Sequence, residues 1–128
     1  MNLGSSENTM YAGVAKSDIS VHSGERRVND PLYAKALVLN DGNNRVVIIA
    51  IDAVAIGGIC DISDDFLPEL LSRIEKELKI DSKKVLVNVS HTHTVGPMLC
   101  NEKEQLDRVF DAVNKACKNM VEVRVASG

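Results

Sequence analysis

The 128-residue sequence contains no tryptophan, and its aromatic side chains are limited to Tyr11, Tyr33, Phe66 and Phe110. Any core must therefore be aliphatic, and the stacking platforms that hold single-stranded nucleic acid are missing. A cationic surplus is missing too. The formal net charge is −3, and the only tight basic runs are Arg26-Arg27 and Lys83-Lys84. Without a basic patch, nucleic acid is not an expected partner. Three cysteines, Cys60, Cys100 and Cys117, form an odd set with no CxxC spacing, which argues against a disulfide framework and for free thiols or small apolar fillers. The first dozen residues lack both the basic start and the apolar stretch of a signal peptide, so they leave the compartment unassigned. The longest apolar stretch, residues 46–51 continuing past one Asp towards residue 60, is too short and too interrupted to span a bilayer.

What remains is the composition of a globular α/β domain. Residues 1–10 are polar and expected to be a disordered tail, and 11–128 a single domain. Residues 11–19 read as a first strand, and 21–31, with Gly24 and Asn29-Asp30-Pro31, as a long loop. Residues 32–39 and 45–53 are apolar, β-branched runs separated by Asn40-Asp41-Gly42-Asn43-Asn44, the chemistry of a hairpin turn. Within the second run, residues 46–51 are continuously apolar, which predicts a central strand covered on both faces. A helix is expected from Ser63 or Asp64, with Leu67, Leu70, Leu71, Ile74 and Leu78 on one face and Pro68 near its start. Residues 84–89 read as a strand and 91–100 as a loop. A second helix follows at 102–119, striped with Leu106, Val109, Phe110, Val113, Cys117 and Met120, and 121–126 is a half-exposed last strand. The order predicts an α/β fold: a mixed sheet of about five strands with two helices, a β-hairpin followed by βαβαβ-type crossovers. Two helices cover one sheet face well but hardly both. A homodimer covering the exposed face is one expected remedy.

In open α/β sheets ligands gather beyond the carboxyl ends of parallel strands. Asp52 ends one apolar strand, and Ser90-His91-Thr92-His93-Thr94 ends another. If the backbone stays extended, His91 and His93 leave the same face with α-carbons roughly 7 Å apart, so both imidazoles could reach one ion. Neutral imidazole is a good zinc ligand, and a catalytic zinc needs a third protein ligand and a water. The sequence offers no obvious third ligand, since His22 lies in the long loop and Cys100 is the only nearby thiol. The bland alternatives are a polar loop pair for the histidines and a backbone cap for Asp52. Gly57-Gly58 lacks the spacing of a phosphate loop.

Four blocks then resemble the N-terminal part of the neutral/alkaline ceramidase family, in matching order and spacing. They are Gly13-Val14-Ala15-Lys16-Ser17-Asp18-Ile19, the run from Asp30-Pro31 to Leu39, Val47-Ile48-Ile49-Ala50-Ile51-Asp52-Ala53, and Ser90-His91-Thr92-His93 with Gly96-Pro97. The resemblance spans about residues 11–126, and its most specific block is His-Thr-His. Two departures stand out: Val95 lengthens the turn between Thr94 and Gly96, and Ser20-Val21 occupies the place of a proline usual after the first block.

The resemblance implies a zinc amide hydrolase that cleaves N-acylsphingosine to fatty acid and sphingosine, with His91 a zinc ligand. It implies that His93 is a further metal-site and catalytic residue touching substrate or water, and that Asp52 orients a ligand. Family enzymes take their other ligands, a histidine, a glutamate and a tyrosine, from far downstream. The chain therefore reads as the N-terminal segment of such a hydrolase, inactive alone, acting on a lipid-like N-acyl substrate in the parent enzyme. The competing expectation is a small metal-binding or protein-interaction α/β domain without catalytic activity.

Overall fold

The structure, a computed structural model, describes residues 9–22, 28–94 and 98–128. Most of the expected tail and the middle of the 21–31 loop lie outside the described residues. Five strands form one sheet: β1 (Met10–Asp18), β2 (Tyr33–Asn40), β3 (Arg45–Ile51), β4 (Val85–Val89) and β5 (Val121–Val123), ordered β4-β3-β2-β1-β5. Helix α1 (Phe66–Leu78) and a 3-10 turn (Ser82–Lys84) join β3 to β4, and helix α2 (Glu102–Lys118) joins β4 to β5. The mixed α/β sheet with two helices and a β2–β3 hairpin is as the sequence predicts.

One connection differs. β3 and β4 pair in parallel across α1, as a βαβ unit should. Helix α2, however, carries the chain over the sheet to its far edge, where β5 pairs antiparallel with β1. Only the first crossover is therefore a parallel one. The central strand is β2, not β3. β3 is nonetheless interior, flanked by β4 and β2; what fails is the expected cover on both faces, because only Val47, Ile49 and Ile51 face the helices and are buried. Val46 is 39% exposed, and Ile48 and Ala50 are only partly covered. Both faces of β3 are apolar, but the described chain covers one.

The covered face is built from small and branched residues. Ala34, Ala36 and Val38 of β2 and the three inward residues of β3 share a core with Phe66, Leu70 and Ile74 of α1 and Val109, Ala112, Val113 and Ala116 of α2. Against the sequence reading, Leu67, Leu71 and Leu106 sit at the margin, only half-buried, while Ala112 and Ala116 are as fully buried as Leu70, Ile74 and Val113. These alanines let α2 approach β1 closely where Gly13 has no side chain to interfere.

Helix ends follow local chemistry. Asn101 caps α2, its side-chain oxygen accepting the Glu104 N–H at 2.9 Å, and Asn101→Ala is expected to destabilise the fold by about 1 kcal/mol in urea titrations. An unchanged midpoint would remove the cap from the account. Helix α1 starts at Phe66, later than Ser63 or Asp64, because residues 63–66 form a turn in which the Phe66 N–H donates to the Ser63 carbonyl at 3.3 Å; Asp65 at the N-cap makes no side-chain cap. It ends at Lys79 in left-handed geometry, where Arg45 donates to the Leu78 and Lys79 carbonyls.

Candidate functional site

The site lies at the carboxyl ends of the parallel pair. Ile51 of β3 pairs with Val89 of β4, and the ladder continues outward, with Ser90 N–H donating to the Ile51 carbonyl at 2.9 Å and Thr92 N–H to that of Ala53 at 3.2 Å. His91 lies between these two anchored amides. Its backbone does not stay extended, as the 7 Å estimate requires, but turns left-handed with φ 61°. The imidazoles nevertheless converge: the two Nε2 atoms are 3.1 Å apart, the ring centroids 4.6 Å apart and the planes nearly perpendicular.

Each ring has a definable proton arrangement. His91 Nδ1 lies 2.8 Å from the Val54 carbonyl oxygen, which can only accept, so Nδ1 carries the proton and donates. That leaves a bare lone pair on His91 Nε2, and without an ion between the rings His93 Nε2–H donates to it. Both rings are exposed. Two nitrogens bound tetrahedrally to one zinc at about 2.0–2.1 Å would stand roughly 3.3 Å apart. The observed separation therefore suits half of a zinc coordination sphere, provided His93 moves its proton to Nδ1. Holding Nδ1–H on a carbonyl so that Nε2 faces a metal is the usual orienting device for ligand histidines.

Asp52 shares the rim, but its carboxylate accepts the Tyr33 N–H at 3.0 Å, while its own N–H donates to the Tyr33 carbonyl at 2.9 Å. The partner shown is thus the backbone of β2. Its contribution to the rim is to fix residues 51–54, whose carbonyls receive Ser90, Thr92 and His91.

His22 is held elsewhere: its Nε2 donates to Asp18 Oδ2 at 2.9 Å, and Asp18 Oδ1 accepts the Ser20 N–H at 2.8 Å. Arg108 donates to the Asp18 and Ser20 carbonyls at 3.2 Å. Cys100 is buried, which pushes its thiol above the usual range, so it behaves as a core filler. Among the described residues no three His, Cys, Asp or Glu side chains are grouped to hold a metal. Val95 and the Gly96-Pro97 turn lie outside the described residues. Sequence reading missed the Val54 carbonyl, because a backbone acceptor at the end of the neighbouring strand, 37 positions away, leaves no trace in residue types. It also missed the Ser90–Thr92 hydroxyl contact of 2.6 Å beside the pair.

Asp18 gives a pH signature. Partial burial raises its pKa, but hydrogen bonds from Ser20 and His22 outweigh this and hold it below the ordinary 3.8. The stability it confers is thus present above about 3.8 and lost as pH falls below that value. Asp18→Asn should be less stable than the parent chain at pH 6, the gap closing in acid. A gap independent of pH in parallel urea titrations would contradict the assignment.

No family model matches the chain, and no curated protein matches it. Two solved structures are similar in fold. A ceramidase complexed with C2 aligns at a TM-score of 0.62 and 16% identity, and neutral ceramidase from Pseudomonas aeruginosa at 0.62 and 15%. Each alignment covers 90% of this chain and 22% of the other. The chain therefore spans about a fifth of the length of these ceramidases, and at such identities the likeness is one of fold. Among the described residues no helix is long and apolar enough to cross a membrane.

Proposed function

We propose that this chain is the N-terminal segment of a zinc-dependent amide hydrolase of the neutral ceramidase kind, inactive alone. The observation that carries the reading is the convergence of His91 Nε2 and His93 Nε2 to 3.1 Å at the rim of the parallel strands, with His91 Nδ1 tied to the Val54 carbonyl. The fold likeness to two ceramidases supports it. His91 is the metal ligand, its free nitrogen fixed by the backbone. His93 supplies either a second nitrogen or, in its present tautomer, a hydrogen-bond donor to a water or substrate oxygen. Asp52 acts through the strand end that holds both. Zinc in such a site lowers the pKa of a bound water towards 7 and polarises the amide carbonyl. The substrate class that follows is an N-acylated sphingoid base or a related lipid-like N-acyl amide.

The test is hydrolysis of a fluorescent N-acylsphingosine. The chain alone should give no turnover with or without added zinc, and a longer parent polypeptide carrying it should give zinc-dependent turnover that His91→Ala abolishes. Metal-dependent turnover by the 128 residues alone would overturn the claim that they hold part of a site. A parent enzyme indifferent to His91→Ala would overturn its role as ligand. The alternative, a metal-binding or interaction domain without catalysis, draws on one specific observation: the described residues bring only two candidate ligands together.

A further inference from the structure

Among the described residues only two polar side chains are buried, Ser20 and Gln105. The Ser20 hydroxyl accepts the Leu32 N–H at 2.7 Å and is satisfied. Gln105, near the start of α2 and 4% exposed, is satisfied only on one side. Its Nε2 donates to the Cys100 carbonyl at 2.7 Å and to the Asp61 carbonyl at 3.2 Å, while its Oε1 has no hydrogen-bond partner. Turning the amide over brings no relief, because Oε1 would then face two carbonyls that can only accept. A buried acceptor left unpaired is a net cost to folding, and an apolar side chain of the same length would avoid it. Gln105 therefore calls for a reason other than stability.

The two carbonyls it holds belong to the two loops that build the rim. Asp61 follows β3 and stands seven residues beyond Val54, whose carbonyl orients His91; Cys100 follows β4 and stands seven residues beyond His93. The loops are joined at their near ends, where Ser90 and Thr92 donate to the Ile51 and Ala53 carbonyls. Nε2 of Gln105 joins them again at their far ends, and at points already held. Cys100 N–H donates to the Ile19 carbonyl at 2.9 Å, and Val21 N–H to that of Met98 at 2.7 Å. Asp61 precedes Ile62, a core residue whose carbonyl accepts the Gly58 N–H at 3.0 Å.

We infer that Gln105 is a positioning residue for the histidine pair, a staple whose Nε2 fixes the loop carrying Val54 against the loop carrying His93. The role rests on the reading that the pair holds a metal. Val54 aims the His91 ring and the second loop carries the His93 ring, so a shift of one loop against the other changes the 3.1 Å between the two Nε2 atoms. A working ligand set tolerates displacements of only about 0.5 Å. The unpaired Oε1 is the stability forgone for that placement.

Gln105→Met keeps the length of the side chain but cannot donate. In the metal-free chain the proton contact between the His91 and His93 rings, read by NMR, should weaken in this variant while core resonances stay in place. Zinc affinity should fall about three- to tenfold, below the 10–100-fold typical of groups that touch a ligand directly. In a His93→Ala background the same change should cost less than about twofold, because the two residues act as a unit. A merely structural Gln105 would lower the urea midpoint and leave the ring contact and the dependence on His93 untouched. Should Gln105→Met fail to fold, the unaltered chain decides: zinc titration should shift the Gln105 side-chain amide resonances and leave those of Asn43, at the far end of the sheet, unmoved. If the unaltered chain binds no zinc, the metal reading fails, and the ring contact alone judges the staple. A ring contact as strong in Gln105→Met as in the parent chain, an unchanged zinc affinity, or zinc binding that leaves the Gln105 amide in place would each overturn the inference.

Discussion

Removing the imidazole of His91 by His91→Ala is expected to lower zinc affinity by at least about tenfold, since even the loss of a hydrogen-bonded supporting residue typically costs 10–100-fold. Equilibrium dialysis with metal analysis reads this directly. Among the described residues, His91 Nε2 is the one nitrogen at the rim whose lone pair is set by a backbone hydrogen bond, through Nδ1 and the Val54 carbonyl at 2.8 Å. His93→Ala removes the second nitrogen at 3.1 Å and should also weaken binding. Asp52→Asn should act less, because its carboxylate is engaged by the Tyr33 amide. If neither alanine variant changes zinc affinity, the pair is a polar loop feature and the metal reading fails. Circular dichroism on each variant confirms that the fold persists, as expected for exposed side chains.

The largest stability effect is expected at Gly13. A Cβ placed there would lie 1.8 Å from the Ala116 carbonyl oxygen and 2.8 Å from Met120 Sδ. A flexible side chain could swing aside, but a helix carbonyl cannot, so α2 would have to lift from β1. Overpacking a core by a methylene or more costs about 1–3 kcal/mol, and a clash with backbone belongs at or above the upper end. Gly13→Ala should therefore lose about 3 kcal/mol, a fall in Tm of roughly 10–20 °C for a domain this size, and Gly13→Val more. A Tm within about 3 °C of the parent chain would show that the helix–strand spacing is softer than the geometry implies.

These two sites also show what residue types can and cannot reveal. Hairpin, helices and parallel pair were legible because alternation, turn residues and 3–4 spacing are local properties. The rim was legible for the same reason: Asp52 and His91 each end a recognisable strand. Gly13, by contrast, matters only through a residue more than a hundred positions away, so its spacing constraint is invisible until α2 is placed. The same holds for Ala112 and Ala116, which a stripe of large residues had overshadowed. Their burial depends on how near the helix comes, not on hydrophobicity. The cover of β3 was misread because an apolar run reports that both faces avoid water, not that the described residues cover them. The second crossover was misread because helix length does not specify which sheet edge the chain reaches.

The left-handed backbone at His91 has an evolutionary reading. At φ 61° a β-branched or bulky residue is strained, whereas glycine, asparagine, aspartate and histidine enter that region readily. Of these four, glycine offers no ligand atom, asparagine only a neutral amide and aspartate a carboxylate without a ring nitrogen to anchor on the Val54 carbonyl. Backbone tolerance and the proposed ligand role thus intersect on one residue. If His91 serves as the proposed ligand, a lineage that lost that role would be free to drift only as far as the other three, leaving glycine, asparagine or aspartate at this turn.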